Sequence, residues 1–358
     1  QRLRQSLLLA LEVEKPRLPH FIFIMVDDQG YGDIGYIGSD IHTPVLDRLA
    51  AEGVKLENYY VQPICSPSRS QLMTGRIIIH LQLLFAAEVI NHIINRLFLD
   101  TPHTVGKWHL GFCRPSCLPT GRGFQSFLGT LTGSGDHFSY QSCDGAEACG
   151  FDLNPTEIQS LNSFKSSICT TRVKQFLKRH DPHTPLFLYL SLQATHAPLQ
   201  VPDHFLHLYD SQLVQELKTQ ELYENSVLIY SSDNGGQPLS GGSNWTLRSG
   251  KGTYWEGGIW TVGFVHSPLL KKKGIVSRAL IHVSDWYPTL LGLAGARQSH
   301  HGLDGHDVWG SISEGLPCPR TEILFNIDPV SRKAGEPYDK ALILNGFGIW
   351  DTVVRAAL

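Results

Sequence analysis

Three unbroken apolar runs, each ending on polar residues, constrain this chain more than any other feature. The first, His20-Phe21-Ile22-Phe23-Ile24-Met25-Val26, runs straight into Asp27 and Asp28. A second, Leu186-Phe187-Leu188-Tyr189-Leu190-Ser191-Leu192, leads toward His196, and Ser226-Val227-Leu228-Ile229-Tyr230 precedes Asp233 and Asn234. A strand with one wet face alternates apolar and polar residues, whereas an unbroken run implies that both faces are covered. The pattern predicts an α/β fold with a central, mostly parallel sheet flanked by helices. Such sheets place their functional groups just beyond the carboxyl ends of the strands, so the polar residues that close each run are the first candidates for a site.

Helices fit between the runs. Thr43-Pro44 opens one, with Thr43 at the N-cap, an apolar stripe of Leu46, Leu49 and Ala50, and Gly53 as its stop. Residues 167–180 carry Val173, Phe176 and Leu177 on one face and predict another. A strand over 279–283 feeds a helix over 286–294, with Pro288 in its first turn. The glycine-rich stretches 235–242 and 250–258 read as loops between strands rather than linkers between domains.

At 358 residues the chain is long enough for one large domain with a smaller companion. Its net charge of −3 excludes a general polyanion-binding surface and argues against nucleic acid as a partner. An anionic substrate has to be held by a few local Lys and Arg side chains. The 17 His residues favour metal or proton-transfer chemistry. Seven Cys leave one over if the rest pair; Cys143 and Cys149 flank a turn and suit a small disulfide loop in an oxidising compartment. The run Ser6-Leu7-Leu8-Leu9-Ala10-Leu11 after two Arg reads as a signal-peptide remnant or a short lead. No uncharged apolar stretch reaches spanning length; the nearest, 77–99, is broken by Glu88, His92 and Arg96 and reads as a helix.

Asp27-Asp28 sits where a buried strand meets the turn Gln29-Gly30-Tyr31-Gly32. Adjacent carboxylates repel each other, and burial raises the cost of ionising both. A hard cation such as Ca²⁺ or Mg²⁺ would neutralise them through oxygen ligands, and Asp233-Asn234 at a second strand end supplies more. An oxygen-only set disfavours zinc.

Beside this stands Cys65-Ser66-Pro67-Ser68-Arg69, followed by Thr74-Gly75-Arg76. With Met25-Val26-Asp27-Asp28-Gln29-Gly30-Tyr31-Gly32-Asp33 before it, and Gly106-Lys107-Trp108-His109-Leu110-Gly111 after it, the chain resembles the sulfatase family. Ser232-Asp233-Asn234-Gly235-Gly236 and Lys251-Gly252-Thr253-Tyr254-Trp255-Glu256-Gly257-Gly258 complete the motifs in family order. The match covers most of the chain from Pro19 to the end and is closest to the arylsulfatase B, I and J group, nearer I and J than B. Cys143-Asp144-Gly145, Gly241-Gly242-Ser243-Asn244-Trp245 and Ser284-Asp285-Trp286-Tyr287-Pro288 support it.

The resemblance implies an alkaline-phosphatase-like sulfatase fold and hydrolysis of aryl sulfates or sulfated sugars through a formylglycine sulfate intermediate. Cys65 would be oxidised to formylglycine by a formylglycine-generating enzyme in the endoplasmic reticulum, and the product would be secreted or lysosomal. Asp27, Asp28, Asp233 and Asn234 would hold calcium with the modified Cys65. Lys107 and Lys251 would grip sulfate oxygens, Arg69 would hold the aldehyde hydrate, His109 would act as a base within its reach, and His196 would protonate the leaving alcohol. A phosphoester hydrolase of the same superfold would carry Thr or Ser in place of Cys65.

The chain also departs from the family. Residues 77–102 do not resemble it and lack the cysteine that the resemblance implies as partner for Cys117, which leaves Cys117 without a partner or in a strained pair with Cys113. A helix expected before the Asp233 strand shortens to 211–224, and Trp260 stands where the family shows Arg. The reading divides the chain into a lead (1–18), a catalytic domain (19–330) and the start of a smaller C-terminal subdomain (331–358) that is largely missing. A catalytically inactive sulfatase-like fragment is the alternative reading. Asn244-Trp245-Thr246 is a glycosylation sequon.

Overall fold

A computed structural model of the chain describes residues 17–77, 101–139, 141–143, 149–151, 165–201, 212–296, 302–328, 339–344 and 347–350. The lead 1–16, most of 77–102 and the turn between Cys143 and Cys149 lie outside the described residues.

The chain order is β1 (His20–Val26), α1 (Pro44–Glu52), β2 (Val54–Leu56), β3 (Tyr59–Tyr60), α2 (Cys65–Thr74), β4 (Thr101–Lys107) and β5 (Ser126–Thr130). It continues with β6 (Gln141–Cys143), β7 (Cys149–Phe151), α3 (Lys165–Arg179), β8 (Leu186–Ser191), α4 (Gln212–Thr219), β9 (Ser226–Ser232) and α5 (Glu256–Ile259). The last elements are β10 (Gly263–His266), β11 (Ile275–Ser277), β12 (Ile281–His282), α6 (Trp286–Leu293), α7 (Trp309–Ser313), β13 (Glu322–Asp328), β14 (Asp339–Leu344) and β15 (Phe347–Trp350).

Eight strands form one sheet in the order β11-β2-β10-β9-β1-β8-β4-β5. β1 lies near the middle, parallel to both β8 and β9, and β4 continues the parallel set with β8 and β5. β10 runs antiparallel to β9 and β2. The unbroken apolar runs are explained by burial on both faces. Phe21, Phe23 and Met25 of β1 join Phe187, Tyr189, Val227 and Ile229 in one core, with Leu72 and Met73 of α2 and Trp286 and Leu290 of α6. Ile22, Ile24 and Val26 join Leu188, Leu190, Leu228 and Tyr230 in the other, under Leu49 of α1, Val173 and Leu177 of α3, and Leu217 of α4. Each such side chain contributes roughly 1.5–3 kcal/mol by leaving water.

The three apolar runs and the helices predicted at 43–53 and 167–180 are present within a residue or two. Three details differ. Thr43 occupies the N-cap position of α1, yet its hydroxyl makes no capping bond: it donates to Asp47 Oδ1 (2.8 Å) and accepts from Gly35 N. The strand predicted at 279–283 shrinks to β12, which pairs with β3 outside the main sheet. The glycine-rich stretch 250–258 runs into a helical turn, α5.

Beyond the main sheet, β13, β14 and β15 form a small antiparallel sheet. Ile323 and Phe325 of β13 are buried with Tyr60, Ile259 and Leu280. In the two-stranded β6–β7 ribbon, Cys143 stands opposite Cys149. Among the described residues no helix is long and apolar enough to cross a membrane.

Candidate active site

Parallel pairing brings the carboxyl ends of β1, β8, β9 and β4 to one edge of the sheet. The residues following these strands are therefore neighbours, although β1 and β9 are some 200 positions apart. Asp27 and Asp28 follow β1, Asp233 and Asn234 follow β9, Lys107 and His109 lie at the end of β4, and His196 follows β8. Cys65 opens α2, which packs under this edge and carries Arg69 one turn further on.

Asp27 and Asp28 face Cys65, and Asp233 and Asn234 bond to Asp28 behind them. The Cys65 Sγ–H faces Asp27 Oδ1 at 3.4 Å and Asp28 Oδ1 at 3.9 Å. Asp27, Asp28, Cys65 and His196 offer ligand atoms that all lie within 4.8 Å of one another. Asp233 Oδ1 accepts from the Asp28 amide (3.2 Å), and Asn234 Nδ2 donates to Asp28 Oδ1 (2.7 Å). Asp28 has φ +59, in the left-handed region that Asp tolerates at some cost, and this turns its carboxylate back toward β9.

Three cations face these carboxylates. Arg69 is fully buried; Nε and Nη2 both donate to Asp233 Oδ2, at 3.0 and 2.6 Å, and Nη1 donates to Ser191 Oγ and the Lys107 carbonyl. Lys107 Nζ lies 2.7 Å from Asp27 Oδ2, and Lys251 Nζ lies 2.6 Å from Asp28 Oδ1. Three carboxylates and three fixed cations leave the cluster formally neutral. Burial and the nearby Asp233 charge push Asp27 up to about 6. Burial works on Asp233 in the same direction, but Arg69 and Lys107 outweigh it and hold that carboxyl well below the usual range. Burial and the Asp233 and Asp27 charges keep the Cys65 thiol protonated.

The two histidines differ. His196 is partly buried; its Nδ1 donates to the Ala197 carbonyl (2.7 Å), which leaves Nε2 facing Asp28 Oδ2 at 3.6 Å. His109 has φ +55, and its carbonyl accepts from Ser66 Oγ on α2 (3.2 Å). Its buried Nδ1 has no hydrogen-bond partner. Burial, then Lys107 and Arg69, drives the ring down to about 3, so it is a neutral base.

The donor set suits a hard divalent cation. Carboxylate oxygens converge from two strand ends, and Asn234 Oδ1 is buried without any partner, which costs roughly 1–3 kcal/mol unless something positive meets it.

The family profile described as Sulfatase matches residues 19–212 and 211–296. The chain belongs to the sulfatase family. It is 48% identical to mouse (Mus musculus) arylsulfatase J over 95% of its own length and 62% of that protein's, so it spans less than two thirds of this relative. Human N-acetylgalactosamine-6-sulfatase is 29% identical over 87% of the chain and 69% of that protein. Among solved structures, Ps i-CgsB in complex with a neocarrahexaose superposes with a TM-score of 0.74 at 26% identity, covering 91% of this chain and 82% of that one. The PsFucS1 sulfatase from Pseudoalteromonas sp. gives 0.74 at 25%, covering 96% and 80%. The fold is thus the alkaline-phosphatase-like sulfatase fold, and the I/J-type likeness read from the sequence agrees with the arylsulfatase J match.

In this member of the sulfatase family, Tyr189 and Ser191 were not singled out from the sequence, yet both meet Arg69 Nη1. Asn244 is buried, its Oδ1 accepts from Gly236 N (2.8 Å), and its Nδ2 donates to the Gly236 and Ser249 carbonyls. A glycan on Nδ2 would replace one of its two hydrogens and so displace one of those two donor bonds. Trp260, where the family shows Arg, is held by tilted contacts with Tyr31 and Tyr60, and its Nε1 donates to the Glu57 carbonyl (2.6 Å).

Proposed function

We propose that the chain hydrolyses sulfate esters, of aryl alcohols or of sulfated sugars and glycosaminoglycans, with Cys65 converted to formylglycine and calcium held by Asp27, Asp28, Asp233 and Asn234. The observation that carries this reading is that Asp27 and Asp28 face the Cys65 side chain while Asp233 and Asn234, from a second strand end, bond to Asp28. When bound, the cation offsets the buried carboxylates and orients a sulfate oxygen, and the hydrated aldehyde supplies one hydroxyl to attack sulfur and another to expel sulfate.

The chain's own residues have separable tasks. Lys107 and Lys251, beside the carboxylates on either flank, attract sulfate oxygens, and their charge is fixed before substrate arrives. Arg69 holds the hydrate, with its own position set by Asp233 and Ser191. His109, which burial and the Lys107 and Arg69 charges favour in its neutral form, would accept a proton from the modified Cys65 side chain. His196, with Nδ1 committed to the Ala197 carbonyl, presents Nε2 to the leaving oxygen. Electrostatics favour an anionic substrate here: a divalent cation added to a formally neutral cluster leaves two positive charges for a sulfate monoester to meet.

The relevant partners are a sulfated small molecule or glycan and, during maturation, a formylglycine-generating enzyme; this implies entry to the endoplasmic reticulum and then secretion or lysosomal delivery. The same reading takes 19–330 as the catalytic domain, 1–18 as its lead and assigns 331–358 to a smaller C-terminal subdomain. The test is to express the chain in a secretory host, measure the mass of the Cys65 peptide, and assay an aryl sulfate with and without a calcium chelator. An aldehyde at position 65 and chelator-sensitive hydrolysis, both abolished in Cys65→Ala, are expected. An unmodified thiol throughout with no hydrolysis leaves a silent sulfatase-like protein.

A further inference from the structure

Six residues beyond Lys107, two thiols face each other outside the site: Cys113 Sγ lies 3.9 Å from Cys117 Sγ, and neither is bonded. A disulfide needs about 2.05 Å, a gap that side-chain rotation at an exposed position can close. Cys113 is exposed and Cys117 buried, the arrangement in which one thiol meets an outside reagent and the other resolves the product. Arg122, itself buried, stands beside Cys117, with its Nε donating to the Ser116 carbonyl at 2.7 Å. Burial raises the Cys117 thiol, but hydrogen bonds from Arg122 and Cys113 outweigh that and hold it below the usual thiol range.

We propose that Cys113 and Cys117 form a reversible dithiol–disulfide site whose oxidation clamps the loop that follows Lys107 and carries His109. The co-reactant is an external disulfide of the glutathione class. The Cys113 thiolate attacks one sulfur of the oxidised glutathione and releases one glutathione thiolate, leaving a mixed disulfide on Cys113. The Cys117 thiolate then attacks Cys113 Sγ, forming the Cys113–Cys117 bond and releasing the second glutathione thiolate. The protein loses two electrons and two protons, and oxidised glutathione is reduced to two thiols. Closing a ring over so few residues removes little chain entropy, and an exposed bond is readily attacked, so the disulfide is reducible.

The clamp reaches the site through Trp108. This fully buried side chain sits between Lys107 and His109, and its Nε1 donates to the Cys117 carbonyl at 3.0 Å. Gly111, at φ +92, turns the intervening loop back against the Cys117 side chain. A bond at Cys117 therefore fixes the far end of the segment whose near end is Lys107. The proposal does not depend on Cys65 conversion or on calcium.

The full chain is equilibrated in glutathione buffers of increasing oxidation, quenched in acid, alkylated and digested with trypsin. Arg114 precedes Pro115 and resists cleavage, so both cysteines fall in the single peptide 108–122. The expected result is that this peptide passes from doubly alkylated to unalkylated and lighter by two hydrogens, and that dithiothreitol reverses the change. In Cys113→Ser, Cys117 remains alkylatable throughout. Amide exchange of residues 109–118 slows on oxidation in the unsubstituted chain. Persistent double alkylation, a stable glutathione adduct on Cys113 with Cys117 still a thiol, or Cys117 bonded to another cysteine would each overturn the site. Unchanged exchange overturns the clamp.

Discussion

Arg69 keeps a full positive charge out of water by donating to groups that are themselves buried, chiefly Asp233. Removing it leaves Asp233 beside Asp27 and Asp28 without its nearest cation. Arg69→Ala is therefore expected to lower unfolding free energy by roughly 3–5 kcal/mol in urea titration. Arg69→Lys should recover part of this, since it restores charge but not the two-nitrogen grip; equal losses would show that charge is not the issue. A second residue, Glu256, has its Oε2 buried without a partner, and burial pushes its carboxyl from 4.5 up to about 7, against a weak bond from Tyr60. The folded chain keeps a proton there that the unfolded chain releases. That stabilisation is complete below about 4.5 and is lost as pH rises through about 7. Across this window unfolding free energy should fall relative to Glu256→Gln, with a slope of at most about 1.4 kcal/mol per pH unit. Parallel pH profiles for the two proteins would refute it. Asp27-Asp28 and Asp233-Asn234 could be singled out in the sequence because each pair closes an apolar run, the second after Ser231 and Ser232. Tyr189 and Ser191 were not, since they sit within such a run and only the alternation of the strand reveals that they share a face with Arg69.

Strand β4 is the element the sequence concealed. Thr101-Pro102-His103-Thr104-Val105-Gly106-Lys107 has no apolar run, yet it pairs with β8 on one side and β5 on the other. Its polarity reflects its destination: Thr104 and Lys107 are buried, the latter against Asp27. Gly106 is what lets β4 close on β8. It adopts φ +109, and a Cβ there would stand 1.8 Å from the Ser191 carbonyl oxygen. Gly106→Ala should cost at least about 1 kcal/mol, seen as a lower urea midpoint together with faster amide exchange in β4 and β8. A neutral substitution would mean that the strand can shift without loss. By contrast, α1 and α3 were readable because capping residues and the 3.6-residue stripe act locally, whereas β4 depends on partners far along the chain.

At the scale of the molecule, the small sheet is tied to the main body through β13. Phe325 is fully buried against Tyr60, Tyr254 and His282, and the Gln62 amide reaches its carbonyl. Phe325→Ala is expected to destabilise the whole protein by about 3–5 kcal/mol in one cooperative transition. If calorimetry instead resolves two transitions, the small sheet melts independently. The α/β class was legible because burial on both faces of a strand leaves a mark in sequence, but the antiparallel entry of β10 leaves none. The position of β1 has one more consequence. Its two strand partners, paired through Phe187–Ser191 and Ser226–Ser232, come more than 150 positions later, so on a ribosome adding about 5–20 residues each second this sticky segment waits many seconds before either emerges. The nascent polypeptide would then rely on a chaperone at that stage, and ribosome-bound intermediates stalled ahead of position 186 should be the most prone to clump.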